Sequence, residues 1–327
     1  MFYALCAAVC LAVLFITIAG TLLLSSGGAW FLRRRAHRIA PAVLSNLLFA
    51  VRLLPLMLAL FFVMGFALPS FLRFEPRGTS EGVGLRLILL STLGIVVLGR
   101  IAMRWYRIHR ATALVRSEWL HGARKLSVKF GSAPVYSVER GRGVVAVLGT
   151  FRPTVFVARP VLSALTPGEL AAVLAHEAGH VRAFDNLKQL LMKITQPPRW
   201  LRSLKSMDSV WMNASELAAD EAALAEGVAV EDLASALVKV LRMGQTAPAP
   251  EIAASHLVPN AGCSAVGERV LHLQHLLNGD IRPGSRSGGR RVKMFALISV
   301  AAAALLYVSA VNSFLPFVHE ALEWLVR

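Results

Sequence analysis

Cysteine is scarce in this chain of 327 residues, which contains only Cys6, Cys10 and Cys263. Three thiols without paired spacing exclude both a zinc ribbon and the disulfide framework of a small secreted domain. We therefore expect all three to be small, buried side chains with no redox or metal-binding role.

Acidic residues are also few, with 19 Asp and Glu against 35 Lys and Arg, which gives a formal net charge of +16. Apolar residues make up 56% of the chain, and the mean hydropathy is +0.58. An ordinary soluble domain of this length has no such excess, so membrane spans are expected. The basic excess has three candidate explanations: nucleic-acid binding, attraction to anionic lipid, and orientation of spans.

Charge is scarce in four long apolar stretches, each near the length of about 20 residues that a span needs. They predict transmembrane helices at about 2–24, 46–72, 83–103 and 293–318. The third is the weakest, because its uncharged core, Leu87 to Gly99, is short. A cleaved signal peptide is the alternative for the first stretch. Such a peptide has a basic start, whereas here the basic residues follow the stretch.

The basic residues cluster beside these stretches, and their positions explain the charge. The three clusters are Arg33, Arg34, Arg35 and Arg38; Arg104, Arg107, Arg110, Arg116, Arg124 and Lys125; and Arg282, Arg286, Arg290, Arg291 and Lys293. The positive-inside rule places all three in the cytoplasm. The prediction is a multi-pass protein of the cell (inner) membrane with its N-terminus outside, residues 104–292 cytoplasmic and a short external tail at 319–327. No nucleic-acid partner is expected.

The cytoplasmic block is long enough for one domain, and its pattern is α+β. Val-rich segments at 134–138, 144–149 and 154–158 predict strands, two of them forming a hairpin. A first helix is expected over 104–130, and others at about 209–225 and 230–243, followed by a loop at 245–260. Between strands and helices, Thr166 and Glu169 form a capping box, with Pro167 at the first helical position. This pattern starts a helix that runs through His180 and, if uninterrupted, to Ile194.

The helix after that capping box contains His176-Glu177-Ala178-Gly179-His180, an HExxH motif. Residues at i and i+4 share one helical face, so both imidazoles can bind one metal ion. Glu177 lies beside that face, where a general base that takes a proton from metal-bound water is needed. The alternative is a helix whose histidines only pack or face solvent.

A hydrolytic zinc site needs three protein ligands and one open position. Glu216 is the candidate third ligand, because it lies on the next predicted helix, 36 residues after His180. Asp220, one turn later, can accept a hydrogen bond from a ligating histidine. Alone, these two residues would more often be part of a solvated acidic face, but the upstream motif favours the metal site.

This arrangement of HExxH followed by ExxxD resembles the BlaR/MecR-type membrane metallopeptidases and, more distantly, the HtpX-type and CAAX-prenyl peptidases. The similarity extends over 149–157, 165–170, the HExxH and Asp185. It implies a gluzincin-like zinc peptidase domain inserted between spans three and four of a mainly α membrane protein. It also implies one Zn²⁺ per chain on His176, His180 and Glu216, with Glu177 as base and Asp220 as support. The strand at 154–158 would border the substrate cleft.

Two departures from the family pattern matter: Ser215 replaces a frequent basic residue, and no penicillin-binding domain follows the fourth stretch, so direct β-lactam sensing is not expected. The family places a His and an Arg after the third ligand, which makes His256 and Arg269 candidates for binding the oxyanion or substrate; surface or structural roles are the alternative. The predicted function is a membrane-embedded zinc metalloendopeptidase in regulatory proteolysis. Its substrate would be a cytoplasmic repressor or a membrane protein, and its other partner the lipid bilayer. The alternatives are an HtpX-like quality-control protease and a catalytically silent scaffold or sensor.

Overall fold

A computed structural model describes the chain except for residues 77–82, 129, 131–132, 140–144, 198–201, 244–253, 257–262, 279–306, 308, 310 and 327. The chain forms two compact units. We call residues 1–31, 50–102 and 285–327 the helical unit, and residues 32–49 and 103–284 the sheet unit.

Helices dominate the described residues, with a small sheet among them. The helices are α1 (Phe2–Arg34), α2 (Pro41–Phe62), α3 (Leu68–Phe74), α4 (Leu85–Leu120), α5 (Arg159–Ala164), α6 (Pro167–Ala183), α7 (Asp185–Ile194), α8 (Arg202–Leu224), α9 (Val230–Arg242) and α10 (Cys263–Leu277). A π-helical turn, Val63–Ala67, joins α2 to α3, and a further helical segment covers 311–326. The strands are β1 (Arg124–Lys125), β2 (Val135–Val138), β3 (Val145–Leu148), β4 (Thr154–Ala158) and β5 (Ala254–His256).

Three of these helical stretches are long and apolar enough to cross a membrane: α1, the continuous run from α2 to α3, and α4. Large apolar side chains on them are exposed, among them Leu23 at 71%, Met57 at 57% and Leu89 at 57%. Lipid tails cover such surfaces at no cost in free energy, whereas exposing them to water is unfavourable. The chain is therefore a membrane-type, mainly helical protein. Most of the predicted fourth span, 293–318, lies outside the described residues.

The sheet has the order β1-β2-β4-β3-β5. β4 is central, parallel to β2 and antiparallel to β3, and all five of its residues are buried. Residues with β-branched side chains dominate it, as expected for a strand covered on both faces. The three predicted strands and the hairpin of β3 with β4 are confirmed. The resemblance implied that β4 borders the substrate cleft. In the structure β4 lies inside the sheet, because β3 and β5 lie between it and the edge that β5 forms.

The helix predicted over 104–130 is shorter than expected. The helix expected to reach residue 130 ends at Leu120, and a turn with Gly122 at a φ of +82° follows it. Glycine adopts this left-handed conformation without the strain that other residues meet. The chain then enters β1, which pairs with β2. The short outer strands β1 and β5 were not predicted, and β5 falls where the sequence indicated only a loop.

Helix α6 begins as the sequence predicts. The Thr166 side chain accepts a hydrogen bond from the Glu169 backbone N–H, and the Glu169 carboxylate accepts one from the Thr166 backbone N–H. Glu169 is buried and also accepts hydrogen bonds from Lys239 and Ser235, which lie on α9. Burial alone would raise the pKa of Glu169, but these hydrogen bonds outweigh burial and lower the pKa to about 2. The capping box thus also fastens α6 to α9.

Candidate metal centre

Helices α6 and α8 approach each other closely where the HExxH motif lies. A Cβ atom added at Gly179 would lie 3.2 Å from the Cα of Ala219 and 3.3 Å from its carbonyl oxygen. Those distances leave little room for any side chain larger than hydrogen, so Gly179 allows the two backbones to touch. This contact brings His176 and His180 on α6 next to Glu216 on α8.

The three predicted ligands converge on one point. The Nε2 atoms of His176 and His180 are 3.2 Å apart. Each lies 3.5 Å from an oxygen of the Glu216 carboxylate. Tetrahedral bonds of about 2.0–2.2 Å to nitrogen and oxygen put ligand atoms about 3.3–3.6 Å apart, so the observed triangle is close to that of a metal of this size and geometry. The three side chains, all buried, could therefore hold a metal ion.

Each histidine is oriented by a carboxylate on its other ring nitrogen. Nδ1 of His176 is 2.8 Å from Oδ1 of Asp220, and Nδ1 of His180 is 2.7 Å from Oδ2 of Asp185. A carboxylate that accepts a hydrogen bond from Nδ1–H keeps the proton on that nitrogen and so leaves the Nε2 lone pair for the metal. Both imidazoles therefore present their ligand atoms to the same point.

Arg269, on α10, ties the acidic side chains together. It is 1% exposed, donates two hydrogen bonds to Asp220 at 2.8 and 2.6 Å, and donates a third to Oε2 of Glu216 at 2.9 Å. A guanidinium forms such planar, paired contacts more rigidly than an ammonium does. Arg269 consequently holds the carboxylates of Glu216 and Asp220 in one arrangement.

The electrostatic field of the cluster favours positive charge at its centre. Burial and the Arg269 charge would lower the pKa of His176, but the hydrogen bond and charge of Asp220 and the contact with Glu216 raise it to about 9. Burial would raise the pKa of Glu216, but Arg269 and the two histidines lower it. Carboxylates that stabilise a proton on the imidazoles will also stabilise a metal cation in its place, because ligand nitrogens exchange their proton for the metal.

A sharp break between α6 and α7 places Asp185. Phe184 has φ 56° and ψ 34°, a left-handed conformation that is unfavourable for a bulky residue. The break ends the helix that the sequence would have allowed to continue to Ile194, and it turns Asp185 back toward His180. Asn186 then fixes the start of α7 by donating to the carbonyl oxygens of Val147 and Gly149 at 3.0 and 2.9 Å.

The structure thus brings together the five residues on which the predicted mechanism depends: His176, Glu177, His180, Glu216 and Asp220. Glu177 is fully buried beside the two histidines that flank it in the motif. His256 lies on β5 with its backbone opposite Ala146, and its side chain is outside what the structure describes. The roles of Asp185 and Asn186 were not predicted. Asp185 carried a signal, since a carboxylate soon after a ligating histidine is a common partner for the second ring nitrogen.

A comparison with known protein families matches the segment that contains the HExxH motif. The model of peptidase family M48 matches residues 112–210. The matched segment runs from α4 through α6 and α7 and contains both candidate ligand histidines and Glu177, but it ends six residues before Glu216. It supports a protease of a membrane-type zinc metallopeptidase family and does not single out the BlaR/MecR type. No curated protein matches the chain.

Proposed function

We propose that this protein is a membrane-embedded zinc metalloendopeptidase of the gluzincin type. The observation that carries the proposal is the triangle of two imidazole nitrogens and one carboxylate with edges of 3.2–3.5 Å. Each imidazole is fixed by its own carboxylate. A solvated acidic face would show none of this convergence or burial.

Zinc in this site would lower the pKa of water and polarise the carbonyl of the scissile peptide bond. The chain supplies the remaining chemistry. The carboxylate of Glu177 takes the proton of the attacking water and then delivers it to the nitrogen of the leaving amine. Asp220 and Asp185 keep the Nδ1 protons on His176 and His180 throughout, so the ligand atoms stay in place. Burial of all these groups excludes bulk water and strengthens their electrostatic interactions.

The contacts of Arg269 favour a positioning role over direct contact with the oxyanion, because its guanidinium already donates to Asp220 and Glu216. Removing its charge would leave two buried carboxylates without their cation. His256 stays a candidate for the oxyanion, since β5 lies at the edge of the sheet.

The membrane arrangement we propose has four spans, with residues 104–292 forming a cytoplasmic domain inserted between the third and the fourth. Three helices of spanning length and the basic clusters beside them support it. A cytoplasmic active site suits regulatory cleavage of a cytoplasmic repressor. An HtpX-like role in clearing membrane proteins would use the same site, and a silent scaffold would keep the zinc without the cleavage.

Metal analysis of the purified full chain in detergent tests the proposal together with an activity measurement. We expect about one zinc per chain, as a single three-ligand site requires. Casein cleavage should stop on treatment with a chelator and return with added zinc. The matched pair Glu216→Ala and Glu231→Gln each remove one acidic charge, but only the first should lose the zinc. A chain that holds zinc and never cleaves casein or a co-expressed membrane protein would support the scaffold.

A further inference from the structure

Two phenylalanine side chains of the sheet unit project outward beside the metal centre. Phe151 is 79% exposed and Phe184 is 61% exposed. The two segments that carry them meet, because Asn186, two residues after Phe184, donates a hydrogen bond to the carbonyl oxygen of Gly149, two residues before Phe151. Phe184 also directly precedes Asp185, the partner of the ligand His180. We call these two exposed residues, Phe151 and Phe184, the aromatic edge.

Phe184 is an unfavourable choice for folding on two counts. Its ring faces outward, and its backbone has the left-handed conformation that glycine or asparagine adopts with less strain. A single exposed apolar side chain needs no explanation. An exposed aromatic ring in a strained position points to a use for the ring outside the fold, since such strain concentrates at functional sites.

Helix α7, which begins at this edge, is held at both ends by residues that border predicted spans. Lys188 donates a hydrogen bond to Asn46, the first residue of the second span, at 2.9 Å. Arg104, the first residue after the third span, donates to the carbonyl oxygen of Gln196 at 2.8 Å. In the proposed span arrangement, these two contacts put α7 at the level of the lipid headgroups, where aromatic side chains are enriched.

Basic side chains near the aromatic edge also favour contact with lipid headgroups. Arg152 is exposed directly beside Phe151. Arg33, at the end of the first span, contacts Ser206 near the start of α8 at 2.5 Å. Basic side chains at headgroup level are attracted by anionic lipids, and neighbouring aromatic rings add apolar contact with the acyl boundary.

We propose that the aromatic edge inserts into the headgroup layer of the bilayer and that the active site therefore acts on peptide segments held at the membrane surface. The contacts of α7 and the exposure of the two rings support the proposed lipid contact. The substrate class, juxtamembrane or membrane-tethered peptide, rests in addition on the proposed peptidase function. Segments free in solution would reach the site less often, because the tethered segment is concentrated beside it.

The lipid contact can be tested without any activity measurement. A photo-crosslinking phenylalanine analogue is placed at residue 151 or 184 of the full chain in phosphatidylcholine–phosphatidylglycerol vesicles, and lipid adducts are identified by mass spectrometry. Ala164, the exposed last residue of α5, is the control position, because the whole of α6, about 25 Å long, lies between it and Phe184 in the chain. Adducts at 151 and 184 but not at 164 are expected. Their absence, or equal yields at 164, would overturn the proposal.

The substrate class is tested with a Phe151→Ser, Phe184→Gly double variant. Glycine suits the left-handed position, so the fold should survive the second change. We expect the ratio of cleavage of palmitoylated casein peptide in vesicles to cleavage of the same peptide without palmitate to fall about ten-fold, as the loss of apolar contact from two rings allows. Equal loss of both rates would show that the rings serve the site itself. If neither parent rate is measurable, the peptidase function fails while the crosslinking result stands.

Discussion

Replacing Asp185 by Asn isolates the contribution of one outer carboxylate to metal binding. The Asp185 carboxylate is 6% exposed and lies 2.7 Å from Nδ1 of His180. Its second oxygen is 3.4 Å from Lys188, whose ammonium is partly exposed and can be hydrated instead. Asparagine keeps the shape of the side chain and removes the charge. Losing such a partner typically weakens metal affinity or activity about 10–100-fold, which corresponds to roughly 1.4–2.7 kcal/mol.

Asp185 is a cleaner probe than Asp220. Asp220→Asn would also deprive Arg269 of its charged partner on two hydrogen bonds. A buried charge left without its partner costs about 3–5 kcal/mol, so that variant would lose stability and metal together. Asp185→Asn should instead leave the thermal midpoint of the metal-free protein nearly unchanged.

The assay for Asp185→Asn is competition for zinc against a chelator of known affinity, with Glu231→Gln as the charge-matched control on the exposed start of α9. We expect weaker binding in Asp185→Asn alone. Unchanged zinc affinity would refute the reasoning that this carboxylate orients His180. An equal loss in the control would mean that long-range charge, and not the hydrogen bond, sets the affinity.

Three further changes address the packing, the α6 cap and the topology. Gly179→Ala should force α6 away from Ala219 by a few tenths of an ångström, costing about 1–3 kcal/mol of stability, measured by thermal unfolding, and weakening zinc binding. Glu169→Gln should destabilise the protein by about 1–2 kcal/mol near neutral pH. Because the pKa of Glu169 is lowered, that difference should be present above its unfolded pKa of about 4.3 and disappear as the pH falls toward 2; a constant difference in unfolding midpoints across this range would contradict the assignment. A topology reporter fused after Arg124 should behave as cytoplasmic and one at the C-terminus as external, and a cytoplasmic C-terminus would mean that a predicted span does not cross.

The sequence was sufficient wherever the signal is local. The capping box at Thr166 and Glu169 predicted the start of α6, and the strands at β2, β3 and β4 followed from short Val-rich runs between turn residues. The i, i+4 spacing of His176 and His180 placed both imidazoles on one face. In each case neighbouring residues decide the conformation, so no tertiary contact had to be known.

The remainder depends on contacts between distant segments. The role of Arg269 requires that α10 pack against α8, and its position 53 residues after Glu216 carries no information about that packing. The role of Asp185 requires the left-handed turn at Phe184, a conformation that a phenylalanine gives no reason to expect. β5 exists only because β3 offers an edge, and its three residues are too few to be recognised as a strand.

The central claim is that Glu177 acts as the base and is not a ligand. Glu177→Gln should retain about one zinc per chain, because the three ligand side chains are untouched. Casein cleavage by the same preparation should fall by at least roughly 10²–10⁴-fold, the contribution of a positioned general base. Zinc content and cleavage rate, measured together on the parent and the variant, decide the matter. Full activity with zinc in place would contradict the mechanism, and loss of zinc would contradict the assignment of ligands.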